Sequence, residues 1–435
     1  MKTHPYFKFL LFFALVALVS YSCSKKEDPF VAQGPAITLL LKSDAGNGDL
    51  LVVRANDSIN FTVTGSDGVD YTSTAKILVN DVEIENDFYI FPELGQYTVK
   101  ALYNDISSNV LNFEVLAPSE RALTIDVPKA LRNQTITFGL LDGQGNNTAS
   151  EATFYVNNTA ISGFTYSSST PDIYTVYAQY VVDNELQTTP VKNFEIFIPK
   201  RKVVIEDYTG TWCGFCPAVA LAIDLVREAT PYVSVVAIHK TAASQPDPLD
   251  FTRIQELQDM FGVSNGFPKG QINRTIAWPD PYPSGQILAM AGTDTNTSIG
   301  IKSQLNGANL SVDVKLISEN GTTAGDKLVV YLLESGVVAP QANYFNETPG
   351  HPYEGLGNPI VDYVHNDGLR NALSDLFGDP IPTTPAFQEF RKSFTFTVPA
   401  TYVGENLGFV VMLVDADNNA KNSQFAHINE IKVYE

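Results

Sequence analysis

Short runs in which apolar and polar residues alternate dominate the first half of the chain, and glycine, asparagine and aspartate separate these runs. A period of two predicts short β-strands that bury one face. The pattern occurs twice, because residues 56–103 align with residues 133–180 at a constant offset of 77 without a gap. Val79-Asn80 of the first copy, for example, recurs as Val156-Asn157 in the second. The first half is therefore predicted to be an internal repeat of two β-sandwiches.

Each copy has the size of an immunoglobulin domain and shows several short strands divided by turn residues. We predict one immunoglobulin-like β-sandwich over residues 35–117 and a second over residues 118–198. The tyrosines of both copies are interpreted as core or corner residues rather than as ligand contacts. Neither copy contains cysteine, so the inter-sheet disulfide of antibody domains is not expected.

The pattern changes after a short basic segment at residues 199–202, where strands begin to alternate with helices. Apolar residues three and four positions apart predict helices, and a continuous apolar run predicts a strand buried in a parallel sheet. The predicted elements are a strand at Val203–Tyr208, a helix at Cys216–Thr230, a strand at Val233–Ile238, a helix at Phe251–Phe261, a strand at Gly270–Asn273 and a helix at Gly285–Ala291. Such alternation is typical of βαβ units, so residues 199–297 are predicted to form an α/β domain.

Strands return from about residue 298 to the end of the chain. The predicted strands are Ile299–Leu305, Leu310–Ser318, Lys327–Leu333, Phe394–Val398 and Leu407–Asp415. One helix is predicted at Gly368–Leu376, inside a loop-rich stretch between Ser335 and Glu389. We predict a C-terminal β-sandwich over residues 298–435, which resembles a jelly roll. The predicted fold class is thus multidomain and mostly β.

The first residues have the pattern of an export signal rather than of a folded domain. Two lysines precede an unbroken apolar run at Phe9–Val19, which is too short to span a bilayer. The run leads into Ser20-Tyr21-Ser22-Cys23, which resembles a lipobox. Residues 1–22 are therefore interpreted as a signal peptide, Cys23 as the lipid attachment site and residues 23–34 as an anchor linker. Secretory cleavage without a lipid remains the alternative.

The segment that follows Cys23 bears on the location of the protein. Ser24-Lys25-Lys26-Glu27-Asp28 resembles signals that send lipoproteins to the outer face of some Gram-negative outer membranes. No later segment reaches the roughly 18 consecutive apolar residues that suggest a transmembrane helix. We predict a lipid-anchored protein of the bacterial outer membrane, either periplasmic or surface-exposed.

Charge and cysteine content restrict the partners and cofactors. The chain has 48 acidic and 28 basic residues, a net charge of −20, so nucleic acid is not an expected partner. It has three cysteines, and if Cys23 carries lipid, Cys213 and Cys216 remain as an isolated C-x-x-C pair in an oxidising compartment. A zinc site needs four ligands, and the sequence has no second C-x-x-C or histidine pair. We therefore expect no metal, and no cofactor other than a redox-active disulfide.

The cysteine pair lies in Trp212-Cys213-Gly214-Phe215-Cys216-Pro217, between a predicted buried strand and a predicted helix. Unpaired N–H groups give a helix N-terminus about half a positive charge, which stabilises a thiolate at Cys213. Such positions lower the pKa of a cysteine from about 8.5 to between ~3.5 and ~7.5. Cys213 is the expected nucleophile, and Cys216 would resolve the mixed disulfide. A structural disulfide and an inherited motif without activity remain alternatives.

The strand–WCxxC–helix element resembles the thioredoxin superfamily over about 100 residues. The resemblance implies that Gly266-Phe267-Pro268 is a cis-proline loop, in which Pro268 packs against Cys213 and the backbone of Phe267 pairs with a substrate strand. Trp212, Phe267 and Pro268 are the substrate-binding residues that it implies. An ordinary trans proline in a turn is the alternative.

The same resemblance implies a buried carboxylate that accepts the proton of the resolving cysteine. Asp207 lies six residues before Cys213, where thioredoxins keep this group. Glu206 is its neighbour, and alternation along a strand allows only one of the two to face the site. His239 follows a buried strand, and the carboxyl ends of strands form the active edge of an open α/β sheet, so we predict a proton-shuttling role for it. A structural histidine is the alternative.

Cys213 and Pro268 are 55 residues apart, which is wider than in compact thioredoxins. The extra length is assigned to residues 240–250, which would form a lid, a partner contact or a plain insertion beside the site.

A narrower resemblance follows from Glu206–Cys213, Cys216-Pro217 and Gly266–Gly270 with Ile272–Arg274. These segments are similar to the twenty-eight-kilodalton outer-membrane protein family of bacterial lipoproteins. The resemblance covers about residue 200 to the C-terminus, and it implies a thioredoxin-like domain followed by a β-rich part.

We therefore expect an extracytoplasmic, lipid-anchored thiol–disulfide oxidoreductase or isomerase whose partners are protein thiols or disulfides. The Gly214-Phe215 dipeptide lacks the proline of strongly reducing thioredoxins, which favours isomerase or oxidase activity over reductase activity. The alternative is a non-enzymatic cell-surface binding protein or complex subunit, in which an inactive thioredoxin-like scaffold carries partner contacts.

Overall fold

The computed structural model describes residues 37–435, with gaps at residues 47–48, 105, 118–119, 183, 243–244 and 264–265. Strands make up 47% and helices 8%, which confirms a mostly β architecture. The predicted signal peptide and the lipid attachment site at Cys23 lie outside the described residues. Within the described part, no helix has the length and apolar character needed to cross a membrane.

The first repeat is a sandwich of two sheets. Its strands are β1 Leu39–Ser43, β2 Leu51–Arg54, β3 Ser58–Gly65, β4 Lys76–Val79, β5 Val82–Ile84, β6 Phe88–Ile90, β7 Gly95–Tyr103, β8 Ile106–Ser107 and β9 Leu111–Leu116. One sheet has the order β1–β3–β6, and the other has the order β2–β9–β7–β4–β5 with β8 beside β7. Phe113 contacts both Phe61 and Phe91 in the core between the sheets.

The second repeat has the same arrangement of strands. They are β10 Ala122–Ile125, β11 Lys129–Leu131, β12 Ile136–Leu141, β13 Thr153–Val156, β14 Thr159–Ala160, β15 Thr165–Tyr166, β16 Asp172–Val182, β17 Glu185–Thr188 and β18 Lys192–Phe197, with a 3-10 turn at Ala149–Glu151. The sheet orders are β10–β12–β15 and β11–β18–β16–β13–β14, with β17 beside β16. In both copies one short strand pairs in parallel with the last strand, β2 with β9 and β11 with β18. The two copies therefore share one strand order, in keeping with the internal repeat of the sequence.

The repeated Val-Asn pair has a structural cause. Asn80 and Asn157 each have φ of 46° in the turn after a strand, a left-handed conformation that asparagine tolerates. The Oδ1 atom of Asn80 accepts a hydrogen bond from the Thr98 N–H at 2.9 Å, and that of Asn157 accepts one from the Thr175 N–H at 2.9 Å. The same side chain therefore ties the turn to the neighbouring strand in both copies.

Strands and helices alternate in the next segment, as the apolar pattern predicts. The elements are β19 Val203–Thr209, α1 Pro217–Ala229, β20 Val233–His239, α2 Ile254–Phe261, β21 Lys269–Ile272, β22 Ile276–Trp278 and α3 Gly285–Met290. β19 pairs in parallel with β20 and antiparallel with β21, and β22 pairs antiparallel with β21. All residues of β19 are buried, and its alternation directs Val203 and Ile205 towards α1 and α3, and Val204 and Tyr208 towards α2.

The C-terminal strands extend this sheet and add a second one. They are β23 Thr297–Asn306, β24 Asn309–Ser318, β25 Lys327–Glu334, β26 Val337–Val338, β27 Val364–His365, β28 Gly368–Ala372, β29 Asp379–Pro380, β30 Phe390–Thr397, β31 Leu407–Val414, β32 Ala420–His427 and β33 Ile431–Lys432, with a 3-10 turn at Gly404–Asn406. The large sheet has the order β22–β21–β19–β20–β28–β25–β31–β32, with β29 beside β25, so it crosses the predicted boundary between residues 297 and 298. A sheet of order β30–β24–β23–β33 packs against its C-terminal half around a shared apolar core.

The predicted helix at Gly368–Leu376 is wrong, because Gly368–Ala372 forms β28. This strand lies between β20 and β25, with Gly368 opposite Ala237 of β20. A Cβ atom at Gly368 would lie 2.7 Å from Cδ2 of Leu249, so the close packing requires glycine. Pairing with two strands that are distant in sequence decides the conformation here, and local propensity does not.

Candidate redox site

Cys213 and Cys216 form a disulfide where β19 leads into α1. The Cys213 N–H donates to the Gly210 carbonyl at 3.0 Å, and the Cys216 N–H donates to the Cys213 carbonyl at 3.1 Å. Cys216 is the N-cap of α1, and Pro217 follows at the first helical position, where its missing N–H costs no helical bond. The pair therefore lies at the positive end of the helix dipole.

Residues 341–345, called the capping segment below, lie over the turn that carries the disulfide. The Ala342 N–H donates to the Thr211 carbonyl at 2.8 Å, and the Tyr344 N–H donates to the Gly214 carbonyl at 2.9 Å. A Cβ atom at Gly214 would lie 2.4 Å from the ring of Tyr344, so this approach requires glycine. The contact joins two parts of the chain that the sequence analysis assigned to separate domains.

Two buried amide side chains hold the capping segment in place. The Nε2 atom of Gln341 donates to the Cys213 carbonyl at 2.9 Å, and the Nδ2 atom of Asn343 donates to the Tyr353 carbonyl at 3.0 Å. Beneath this cover, Cys213 is 4% and Cys216 is 2% exposed. Sequence reasoning missed the cover, because Gln341 follows Cys213 by 128 residues and lies in a stretch without periodicity.

The two neighbouring carboxyl groups of β19 point to opposite faces of the sheet. Glu206 lies 3.4 Å from the guanidinium group of Arg274 on the α2 side, and both side chains are fully buried. Asp207 faces α1 and lines a cavity together with Cys216. Its Oδ1 atom has no hydrogen-bond partner among the described residues, and burial raises the pKa of Asp207 from 3.8 to about 8. Of the two carboxyl groups, Asp207 is therefore the one on the side of Cys216.

This cavity has a volume of about 90 Å³ and lies between α1, the sheet and the segment around β27. Most of its lining is polar, and it includes Asp207, Cys216, Asp224, His239, Tyr363 and His365. An ion pair between Arg227 and Asp367, at 2.8 Å, belongs to the same wall. A polar cavity of this size has room for about three water molecules, at ~30 Å³ each.

His239 ends β20, and its Nδ1 atom lies 2.9 Å from Oδ2 of Asp247. Asp247 Oδ2 also accepts the Thr211 N–H at 2.8 Å, and Oδ1 accepts the Leu249 N–H at 2.9 Å. Burial raises the pKa of Asp247, but the bonds from His239 and from the two backbone groups outweigh it, so the pKa is lowered overall. The loop at residues 240–250 thus reaches the redox turn through Asp247, a residue that sequence reasoning did not single out.

A second histidine lies beside the first. The ring centroids of His365 and His239 are 5.3 Å apart. Burial, followed by the proximity of His239, lowers the pKa of His365 from 6.5 to about 4. In the described part of the chain, no group of three or more histidine, cysteine or acidic side chains is arranged to hold a metal ion.

The predicted substrate-binding residues form an apolar surface next to the redox turn. The rings of Trp212 and Phe267 stack with centroids 5.7 Å apart, and the Phe267–Pro268 peptide bond is cis. Phe215 and Tyr344, both more than half exposed, add an edge-to-face pair with centroids 5.0 Å apart. Aromatic side chains from three parts of the chain therefore surround the motif.

Comparison with known proteins bears on the C-terminal part. Residues 254–432 match the family of outer membrane protein Omp28. This match supports the outer-membrane family that the sequence motifs indicate. The Omp28 match includes Pro268 and the capping segment, and it begins after Cys213 and Cys216. No curated protein matches the chain.

Several solved structures show weak likenesses. HBP35 of Porphyromonas gingivalis is similar over 53% of this chain and 76% of its own length, at 17% identity and a TM-score of 0.41. The D00-D0 domain of Intimin aligns with 36% of this chain and 99% of its own, at 16% identity and a TM-score of 0.15. Domains 4–9 of the surface layer protein SbsC align with 91% of this chain and 65% of their own, at 11% identity and a TM-score of 0.15. Likenesses at these TM-scores carry no argument about function.

Proposed function

We propose that the protein is an extracytoplasmic, lipid-anchored thiol–disulfide oxidoreductase or isomerase that acts through Cys213 and Cys216. The observation that carries this proposal is the cavity that Cys216 shares with Asp207 at the N-terminus of α1. Within the described structure, Oδ1 of Asp207 is buried without a hydrogen-bond partner, an arrangement that costs stability. A structural disulfide has no use for a cavity that places buried titratable groups, Asp207 and His239, beside Cys216, whereas a thiol that must lose and regain a proton does.

The topology around the disulfide supports a thioredoxin-like scaffold for residues 199–297. Parallel strands β19 and β20 are joined through α1, and antiparallel strands β21 and β22 lie on the other side of β19. The disulfide lies at the start of α1, and Pro268 directly precedes β21. Both positions support the proposed roles of Cys213 as the nucleophile and Pro268 as the substrate-binding proline.

The proposed reaction exchanges one disulfide for another. The Cys213 thiolate attacks a substrate disulfide, a mixed disulfide forms and one substrate thiolate leaves. The Cys216 thiolate then attacks Sγ of Cys213, so the bond between the two cysteines forms as the bond to the substrate breaks. The substrate disulfide gains two electrons and the cysteine pair loses them, and the reverse sequence oxidises a substrate dithiol. Phe267 and Pro268 would position the substrate strand, and the Gly214-Phe215 dipeptide favours the isomerase or oxidase direction.

The Omp28 match supports a location at the outer membrane. Attachment through a lipid on Cys23 is the part of the proposal that rests on the sequence alone. With that anchor, the two sandwiches separate the redox site from the membrane. The partners would be protein thiols or disulfides outside the cytoplasm.

A second candidate function is a non-enzymatic surface protein with a structural disulfide. The burial of Cys213 favours it, because a nucleophile that is 4% exposed beneath the capping segment needs a movement before a protein substrate can reach it. In that case the tandem sandwiches would project a binding surface, and the cysteines would only hold the turn.

Trapping separates the two functions. Cys216→Ala in the full chain, expressed in a Gram-negative host, removes the resolving thiol and should accumulate protein partners on Cys213. The adducts should disappear on reduction and should be absent from the matched Cys213→Ser, Cys216→Ala double variant. A folded Cys216→Ala protein whose free Cys213 reacts with a small thiol reagent but captures no protein would favour the non-enzymatic function.

A further inference from the structure

The cavity beside Cys216 contains a second group that can bind a proton, besides Asp207. His239 lines this cavity and is 2% exposed, and the Asp247 side chain bonded to its Nδ1 atom is fully buried. A carboxylate at Nδ1 keeps the proton on that nitrogen, which leaves Nε2 as the acceptor of the ring. Asp247 is itself held by the N–H groups of Thr211 and Leu249. The orientation of the imidazole is therefore fixed by the protein.

Several titratable and charged groups lie around the ring of His239. Asp207 faces it from β19, Asp247 from the loop after β20, and Cys216, Asp224 and Arg227 from α1. His365 of β27 lies on the remaining side, with its ring centroid 5.3 Å from that of His239. Asp367 lies on the same side and forms an ion pair with Arg227. The pKa of His365, lowered to about 4, keeps that ring neutral near pH 7. Of the two histidines, His239 is the one whose ring is bonded to a carboxylate, that of Asp247.

Asp207 alone does not supply a proton acceptor at neutral pH. With a pKa of about 8, only about a tenth of its carboxyl groups are ionised at pH 7. A carboxyl group that already holds a proton cannot take one from a thiol. An acceptor that is not already protonated at neutral pH would take the thiol proton more readily than Asp207.

We propose that His239, oriented by Asp247, accepts the Cys216 thiol proton at neutral pH. The proton passes from Sγ of Cys216 through cavity water to Nε2 of His239, and the Cys216 thiolate then attacks Sγ of Cys213 in the mixed disulfide. The new bond joins Cys213 and Cys216, the substrate thiolate leaves, and the proton on Nε2 is returned to solvent or to the leaving thiolate. Asp247 is a positioning residue, and its bond to Thr211 also fixes the redox turn relative to the imidazole. This inference rests on the proposed exchange function.

The test follows the resolution step alone. The reduced full chain reacts with dithiobis-nitrobenzoate, and the coloured thiol is released first on attack by Cys213 and again on resolution by Cys216. His239→Gln should slow the second release at least tenfold at pH 6.5–7, and the rate should approach that of the wild type above pH 9, where Asp207 is ionised. Asp207→Asn should change the rate at neutral pH by less than threefold. His427→Gln, an exposed ring outside the cavity, is the matched control and should follow the wild type at every pH.

A second variant separates the positioning role from folding. Asp247→Asn keeps an oxygen that can accept the Thr211 N–H but removes the carboxylate that orients the imidazole. We expect resolution at pH 7 to slow about threefold to tenfold and to recover towards the wild-type rate above pH 9, where Asp207 is ionised. A purely structural role would change the stability and leave the pH profile in place.

The outcomes also separate this inference from the proposed function. If the wild type shows no second release at any pH, the exchange function fails. If the wild type resolves normally and His239→Gln and Asp247→Asn keep its pH profile, only the role of His239 is overturned. A loss at pH 7 in Asp207→Asn but not in His239→Gln would assign the proton to Asp207 instead.

Discussion

Replacement of Asp207 by asparagine should stabilise the α/β segment, and the gain should grow with pH. Burial raises the pKa of Asp207 from 3.8 to about 8, because ionisation would place a charge in the protein interior. The group therefore contributes no penalty below pH 4, where it is protonated in both the folded and the unfolded chain. Between pH 4 and pH 8 the unfolded chain loses the proton while the folded chain keeps it, so the free energy of unfolding falls as the pH rises.

The expected magnitude follows from the size of the pKa shift. Each unit of pH in this interval corresponds to about 1.4 kcal/mol, so the wild type should lose ~4 kcal/mol relative to Asp207→Asn between pH 4 and pH 7. Asparagine is close to aspartic acid in shape and stays neutral, so the two proteins should have similar stability at pH 4. A gain of this size is a large fraction of the ~5–15 kcal/mol that stabilises a typical domain.

Urea unfolding followed by tryptophan fluorescence measures this effect in the relevant segment. The chain has two tryptophans, Trp212 and Trp278, and both lie in residues 199–297, so the signal does not report on the tandem sandwiches. Glu228→Gln, at an exposed position of α1, is the matched control and should leave the pH dependence unchanged. A gain in Asp207→Asn that is equal at pH 4 and pH 7 would refute the assignment of an uncompensated buried carboxyl group.

Three further substitutions test other parts of the structure. Gly214→Ala should speed reduction of the disulfide by dithiothreitol at least tenfold, because the added Cβ would lie 2.4 Å from the Tyr344 ring and displace the capping segment. An unchanged rate would show that this segment does not limit access of the reductant to the disulfide. Glu206→Gln should lower the free energy of unfolding in urea by about 3–5 kcal/mol, because Arg274 would stay buried without a counter-charge. A loss below about 1 kcal/mol would contradict the importance of this ion pair. Asn157→Ala should cost the second sandwich about 1–2 kcal/mol more than Asn157→Gly by calorimetry, because both variants lose the bond to Thr175 but only alanine is strained at a φ of 46°. Equal losses would argue against backbone strain.

Features with a local cause were predictable from the sequence. Alternation in the two repeats predicts their strands, and the Val-Asn pairs mark turns because asparagine accepts a left-handed backbone. The start of α1 follows from the proline after Cys216, and alternation along β19 requires Glu206 and Asp207 to face opposite sides. In each of these cases a few consecutive residues contain the physical reason.

Features set by distant parts of the chain were not predictable in this way. Gly368–Ala372 forms a strand because it pairs with β20 on one side and β25 on the other. The hydrophobic pattern of its own five residues does not distinguish a strand from a helix. The capping segment reaches Cys213 through the side-chain amide of Gln341, which is 128 residues away in sequence, so no local pattern predicts the contact. Asp247 is one of two acidic residues in its loop, and only the fold shows that it joins His239 to the redox turn.

The reduction potential of the Cys213–Cys216 couple tests the central claim most directly. Equilibration of the full chain against glutathione and dithiothreitol buffers gives this value, with Cys213→Ser, Cys216→Ser as the blank. An exchange protein should have a potential between about −120 and −270 mV, and a value in the upper part of this range would support the isomerase or oxidase direction. A potential below about −300 mV is that of a structural disulfide, and it would contradict the exchange function in favour of the non-enzymatic surface protein.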